Sequence, residues 1–469
     1  MLYSDAIKWN MGVFIKMAFG NKGSAVLMTE GPIATKMVRF AIPVFCSNLF
    51  QQLYNTIDAL IVGRYVGDEA LASVSSSGSF IFMMVGFIFG LFAGAGVIVS
   101  QAFGAGDKDK VQNAVHTTMA LGIIAGVILT GIGIGFSPQI LRWMNTPADV
   151  LPNSIVYFRI YFAGSLFHVM YNACSGVFQA VGDSKHPLIY LIVSSVSNVI
   201  LDLLFVAVFK WGIAGAAIAT CLSHAISFVL IFGKLMHSDD IFRVHIKKIR
   251  IHKELVRPIL KVGIPSGVQN AVIGFANIIV QSNINSFGKL AMAGCGSYSK
   301  LEGFVFLPIT SFCMALTTFT GQNIGANRLD RAKKGALFGI ISAVTCAELL
   351  GFVMYVFCPG MIAWFSSTPE TIAFGVQWAR TTSFFFCLLA FSHASAAIMR
   401  GAGKSIVPMV VMLAFWCVVR VTYITIITRY IPNISVVFWA YPLTWGLSSI
   451  TFMIYLLSGK WLVAKKKLV

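Results

Sequence analysis

Charge is what this sequence has least of. Charged residues fill 11% of 469 positions, against about a quarter in an ordinary soluble domain, so a water-exposed globular surface cannot be covered. Hydrophobic residues make up 57% and mean hydropathy is +0.81, which excludes disorder. A polytopic membrane protein is what remains. Other absences narrow the class. No two of the nine cysteines carry the spacing of a zinc or redox pair, so they read as small hydrophobic groups. No nucleic-acid-binding motif accompanies the net charge of +18, which argues against an RNA or DNA partner. No His/Asp metal cluster or nucleophile–base pair points to an enzyme or a cofactor, and no filter-like segment points to a channel. The first 27 residues hold Lys8 and Lys16 but neither a long apolar core nor a small-residue cleavage site, unlike a secretory signal. Two readings of them stay open: an amphipathic segment on the inner leaflet, or an extension ahead of a start at Met28.

What is present is a series of apolar runs. A span needs about 20 mostly apolar residues, and twelve stretches qualify: 37–63, 75–103, 112–136, 155–181, 188–209, 212–234, 258–286, 290–323, 335–358, 374–399, 406–429 and 435–459. The expected fold class is therefore an all-α polytopic membrane protein. Lys and Arg collect before the first run and at Lys108 and Lys110, Lys185, 234–261, 328–334, Arg400 and Lys404, and the tail. Two spans separate each cluster from the next, so all face one side, the cytoplasm by the positive-inside rule. The expectation is a multi-pass protein of the cell membrane with both termini cytoplasmic. Its parts are an N-terminal segment 1–34, an N-lobe 35–234 of six spans, a linker 235–257, a C-lobe 258–459 of six spans and a basic tail 460–469.

The two lobes repeat one another. Gln101-Ala-Phe-Gly104-Ala105 returns 221 residues later as Gln322-Asn-Ile-Gly325-Ala326, and Gly182 and Pro187 return as Gly403 and Pro408 at the same interval. Ile42-Pro43, Asn48, Asn55 and Thr146-Pro147 return at 222 as Ile264-Pro265, Asn270, Asn277 and Thr368-Pro369. Six spans per copy make the repeats parallel, related by a pseudo-two-fold axis along the membrane normal, with a substrate path between them and alternating access as the mechanism. The repeat also disposes of a false motif. Gly401-Ala-Gly403-Lys404-Ser405 resembles the end of a phosphate-binding loop, but Ile398 stands where glycine is needed; its mate around Gly182 marks both as inner-face turns. Gly94, Gly96, Gly131, Gly133 and Gly135 read as close helix packing.

The acids carry more information. Of 17 Asp and Glu, only Asp58, Asp202, Glu302 and Glu348 fall well inside spans, where a charge costs at least about 2.5–3.5 kcal/mol and marks function by default. Asn48, Gln51, Asn55 and Asp58 give the first span one polar face, and Asn198 and Asp202 do the same for the fifth. No Lys or Arg lies in the interior of these two spans to pair with either acid. At about 1.5 Å per residue both sit in the outer half of the membrane, where two carboxylates take up a proton or hold Na⁺ between them. Asp58 and Asp202 are the expected cation-coupling residues, with Asn55 and Asn198 as polar support and Pro43 as a bending point. In the C-lobe, Glu302 and Glu348 are accompanied by Lys300 and Arg420, a balanced set that reads as a salt-bridged charge network, with a substrate or proton role as the alternative. His168, His224 and His393 read as single core residues.

Gln51-Gln-Leu-Tyr-Asn55-Thr-Ile-Asp58-Ala-Leu-Ile-Val-Gly63-Arg64, Gln101-Ala-Phe-Gly104-Ala105-Gly106 and Asn198-Val-Ile-Leu-Asp202 together resemble the multidrug and toxic compound extrusion (MATE) transporters, and Thr29-Glu30-Gly31-Pro32-Ile33 resembles a segment near the start of bacterial members. The resemblance covers roughly residues 29–460. It implies a V-shaped twelve-helix fold that exports small organic cations across the lipid bilayer against inward H⁺ or Na⁺. In one branch of the family an aspartate of the first helix and an Asn-x-x-x-Asp of the fifth hold the cation, and these match Asp58, Asn198 and Asp202. Another branch uses acids on the seventh and tenth helices; 258–286 and 374–399 have none, Gln269 being the nearest polar group. The expectation is a monomeric cation-coupled multidrug antiporter. A lipid-linked oligosaccharide flippase of the same superfamily, which would need several cavity-facing cations, and a metabolite exporter are the alternatives.

Overall fold

The computed structural model describes residues 25–144 and 146–462; the inner-leaflet reading of the N-terminal segment and most of the basic tail lie outside these. Among the described residues every regular element is helical. Eleven helices are long and apolar enough to cross a membrane: α1 Ile33–Tyr65, α2 Phe80–Gly104, α3 Lys108–Gly135, α5 Lys185–Val208, α6 Gly212–Met236, α7 Lys253–Asn285, α8 Lys289–Gly325, α9 Leu329–Ala363, α10 Pro369–Gly401, α11 Ile406–Tyr430 and α12 Ser435–Leu457. The expected fourth span is present as two pieces, Leu151–Ala163 and Ser165–Ala180, together α4. A single unbroken helix over 155–181 was the expectation, and Gly164 is where it fails. There α6 comes so close that a Cβ on Gly164 would lie 2.4 Å from Cys221 Sγ, and that thiol donates to the Ile160 carbonyl at 3.1 Å.

The repeat reappears in the backbone. Three pairs of residues 221 positions apart take positive φ: Gly67 and Gly288 (107° and 98°), Gly106 and Asn327 (70° and 57°), Gly182 and Gly403 (86° and 75°). Glycine and asparagine are the residues that enter this region cheaply, so the turns kept their shape while the intervening sequence drifted. At Lys210-Trp211-Gly212 both Lys210 and Gly212 have positive φ, which closes α5 onto α6 in a very short turn.

The chain divides into two compact units, one of 25–27, Cys46–Phe82 and Gly106–Pro258, the other of Met28–Phe45, Met83–Ala105 and 259–462. In the first, 235–252 lies on the start of α3: Gln112 Nε2 donates to Ile241 O at 2.7 Å, His245 N–H to His116 Nε2 at 3.0 Å and His252 N–H to Thr117 Oγ1 at 3.2 Å. In the second, α2 meets α7 and α8 backbone to backbone. A Cβ on Gly94 would fall 2.3 Å from Gly263, one on Gly104 2.0 Å from the Gln322 carbonyl oxygen, and one on Gly325 2.0 Å from the Gln101 carbonyl oxygen. The repeated Gln-x-x-Gly motif is thus a reciprocal contact in which each glycine rests on the other copy's glutamine backbone. Gly133 packs on Phe162, but Gly131 and Gly135 face open space, so the close-packing reading holds for only part of that run.

Candidate functional site

In the first unit, α1, α4, α5 and α6 bring one set of polar groups into an apolar surround. Asp58 reaches in from α1, Asn198 and Asp202 from α5; the last two are 0% exposed. The carboxyl groups of Asp58 and Asp202 come within hydrogen-bonding reach of one another. Asp58 Oδ1, both oxygens of Asp202 and both amide atoms of Asn198 are buried with no hydrogen-bond partner. A buried polar group without a partner costs roughly 1–3 kcal/mol, and here five such atoms belong to three neighbouring residues. Facing oxygens that only accept call for something positive between them, a proton on one carboxyl or a cation held by both. The donor set is all oxygen, which suits a hard cation such as Na⁺ and not a transition metal; among the described residues no three His, Cys, Asp or Glu side chains group as a metal site.

Tyrosines wall this site, and they were not singled out in the sequence. Tyr54 stands one turn before Asp58 and lies beside Thr220 of α6, whose hydroxyl donates to the Ala216 carbonyl at 3.1 Å. Tyr157 and Tyr161, four apart on α4, stack at 6.2 Å, and Tyr157 senses the charge of Asp58. Ile61, Val62, Val206, Ile213, Ala216 and Ala217 form the buried apolar cluster alongside Tyr157. Asn55 is exposed. Immediately after Asp202 the α-helix passes into a π-helical stretch, Leu203–Val208, a local widening that occurs often at functional sites; α1 in contrast runs through Pro43 without interruption.

The second unit has a polar core of a different kind. Lys300, Glu302, Glu348 and Arg420 do not form the ion-paired set their balance suggested: among the described residues the ion pair within 4 Å is His186–Asp183. Each has turned to a local partner instead. Lys300 is exposed, its Nζ 5.5 Å from the Phe365 ring. Glu348 accepts from the Cys387 N–H at 2.6 Å, at the start of the helix that follows the 3-10 turn Ser383–Phe385, where a carboxylate meets unpaired amides. Glu302 accepts from Tyr298 Oη at 3.3 Å, and that hydroxyl is 2.6 Å from Thr382 Oγ1. Arg420 is 2% exposed, bonded through Nε and Nη2 to Thr444 Oγ1 at 3.1 and 2.8 Å, with its guanidinium over Tyr441 and Trp416. Two of the histidines are not single: the rings of His168 and His224 meet edge to face at 4.5 Å, and His393 packs on Phe306 and Trp416.

A model of the MatE family matches this chain twice, over residues 43–204 and 265–426, two copies offset by the interval of the internal repeat. The chain belongs to the MatE family. This MatE chain is 31% identical over 398 residues to the probable multidrug resistance protein YpnP of Bacillus subtilis, covering 83% of this chain and 87% of that one. It is 25% identical over 339 residues to the multidrug export protein MepA of Staphylococcus aureus, 72% of each. In fold it is similar to the outward-facing structure of a multidrug resistance MATE family transporter (TM-score 0.86, 22% identity, 93% and 97% covered). It is likewise similar to a MOP superfamily transporter from Pyrococcus furiosus, described as having a binding pocket of reverse polarity (TM-score 0.88, 22% identity, 95% and 100% covered). Family membership makes the chain a multi-pass membrane transporter.

Proposed function

We propose that this MatE transporter is an antiporter of the bacterial cell membrane that exports drug-like organic cations while H⁺ or Na⁺ moves inward through Asp58 and Asp202. One observation carries the coupling: two neighbouring carboxyl groups in an apolar site, three of whose oxygens are buried with no hydrogen-bond partner. The bound proton or Na⁺ supplies the missing positive charge; without it the two carboxylates repel one another across a medium that screens them poorly. Ion binding therefore favours the helix arrangement that holds α1 and α5 together, and ion release favours one that separates them. Asn198, one turn from Asp202 on the same face, adds an amide oxygen to the ion's surround, and Tyr54 with Thr220 completes its wall. Drug export is supported by the relatives YpnP, a probable multidrug resistance protein, and MepA, a multidrug export protein.

The test is counterflow in reconstituted vesicles. Asp58→Asn and Asp202→Asn should each abolish drug-driven proton or sodium flux; wild-type flux in both variants would refute the assignment. Whether ethidium efflux collapses on uncoupling the proton gradient or on removing sodium identifies the ion.

A further inference from the structure

From the connection between α6 and α7 we infer that residues 246–253 are a binding surface for the anionic phospholipid headgroups of the inner leaflet. The inference takes from the proposed function only that this end of the spans faces the cytoplasm. It is independent of the coupling ion and of the exported compound.

The connection is pinned on one side and open on the other. Phe242 and Val244 are buried, and the Phe242 ring meets that of Phe178 at 5.8 Å. The N–H groups of His245 and His252 end on His116 and Thr117, adjacent residues of α3, so 246–251 is a six-residue loop closed at its base. Outward it presents Ile246 and Ile251, 63% and 44% exposed, interleaved with exposed Lys247, Lys248 and Arg250, and exposed Lys253 follows at the start of α7. No Asp or Glu occurs between 241 and 253. Among the described residues none of these four bases is in an ion pair within 4 Å. Arg250 Nε donates to His252 Nε2 at 3.4 Å, which leaves four of its five N–H donors for another acceptor. Basic residues alone are what any cytoplasmic connection carries; two further features select a lipid surface. The first is the pair of exposed isoleucines set between the bases, a pattern that suits insertion at the membrane interface. The second is the depth of the loop's base. Thr117 stands nine residues, about 13 Å, beyond Lys108 at the start of α3. Of the 28 residues of α3 about 20 are needed to cross the hydrocarbon, so no more than about 12 Å of the helix stands outside it. The loop therefore lies beside α3 at the boundary of headgroups and acyl chains, not in the water beyond the helix end. There the isoleucines enter the acyl layer, while the lysine ammonium groups and the Arg250 guanidinium meet phosphodiester oxygens.

The test titrates the full chain in detergent with dioleoyl phosphatidylglycerol, which is anionic, and with dioleoyl phosphatidylcholine, which has the same acyl chains and no net charge. Bound lipid is counted by native mass spectrometry. No drug or ion gradient is present, so failure here leaves the Asp58–Asp202 reading untouched, and failure of coupled flux leaves this one untouched. Wild type should bind the anionic lipid about tenfold tighter than the neutral one. Lys247→Gln combined with Lys248→Gln should remove about tenfold of the anionic affinity and leave the neutral lipid within about twofold. Lys333→Gln combined with Lys334→Gln takes the same charge from exposed positions of the second unit and should change the anionic affinity by less than about twofold. Ile246→Ser combined with Ile251→Ser should weaken both lipids several-fold. All of these side chains are exposed, so the melting temperature without added lipid should stay within a few degrees of wild type. Equal wild-type affinity for the two lipids, an unchanged preference in the Lys247/Lys248 variant, an equal loss in the Lys333/Lys334 variant or unchanged binding in the isoleucine variant overturns the inference. Displacement of the lipid by equimolar sn-glycerol 3-phosphate would assign the surface to a free phosphate, and displacement by polyglutamate to an acidic protein; either result also overturns it.

Discussion

The two polar cores share a scaffold and differ in sign. In the first unit two carboxyls face each other with no base beside them; in the second a buried arginine lies on aromatic rings with no acid in contact. The repeat that copied the turns at Gly182 and Gly403 did not copy the charges. Backbone geometry is constrained by steric limits that apply equally to both copies, whereas the charges inside the spans depend on what each copy packs or binds around them, so the charged positions are free to diverge.

The sharpest way to break the comparison is to neutralise one acid in each unit. Asp202→Asn should take ion-driven drug flux to background, while Glu302→Gln should leave it within about threefold, if the ion couples through the first unit as proposed. Equal losses in both would mean that the ion path includes the second unit. Next in size is the packing between the repeated motifs: Gly104→Ala and Gly325→Ala should each cost about 1–3 kcal/mol through overpacking, seen as a lower melting temperature in detergent. Gly131→Ala, with open space around it, should change stability by no more than about 0.5 kcal/mol. Asn198→Ala should weaken coupling-ion affinity about tenfold without lowering stability, because its amide has no partner in the fold to lose; destabilisation with normal ion affinity would make it a packing residue. The smallest effect is expected at Asn55, which is exposed: Asn55→Ala should change transport by less than about twofold.

Much of this was legible in the sequence, for reasons that differ by residue. Apolar runs announce spans because lipid leaves the backbone few alternatives to helix, so eleven of the expected spans appear as helical segments long and apolar enough to cross a membrane. The fourth does not, since a break at Gly164 depends on the approach of Cys221 from another helix, which no local pattern records. Asp58, Asn198 and Asp202 stood out because unpaired acids are rare in spans. Tyr54, Tyr157 and Thr220 did not: hydroxyl-bearing side chains in apolar helices are common, and only convergence distinguishes these. Balanced charge at Lys300, Glu302, Glu348 and Arg420 suggested ion pairs, yet charge count says nothing about direction. Each of the four found a closer ring, hydroxyl or helix end instead.

Composition and periodicity by themselves determined that the chain is a bundle of membrane helices in two similar copies with four acids inside the spans, because hydropathy and spacing act along the chain. The tertiary structure decided which of those acids meet, which cation stays unpaired and where a helix breaks. Those outcomes depend on distances of a few ångströms between segments far apart in sequence, set by how glycines and side chains fit together once the helices have packed.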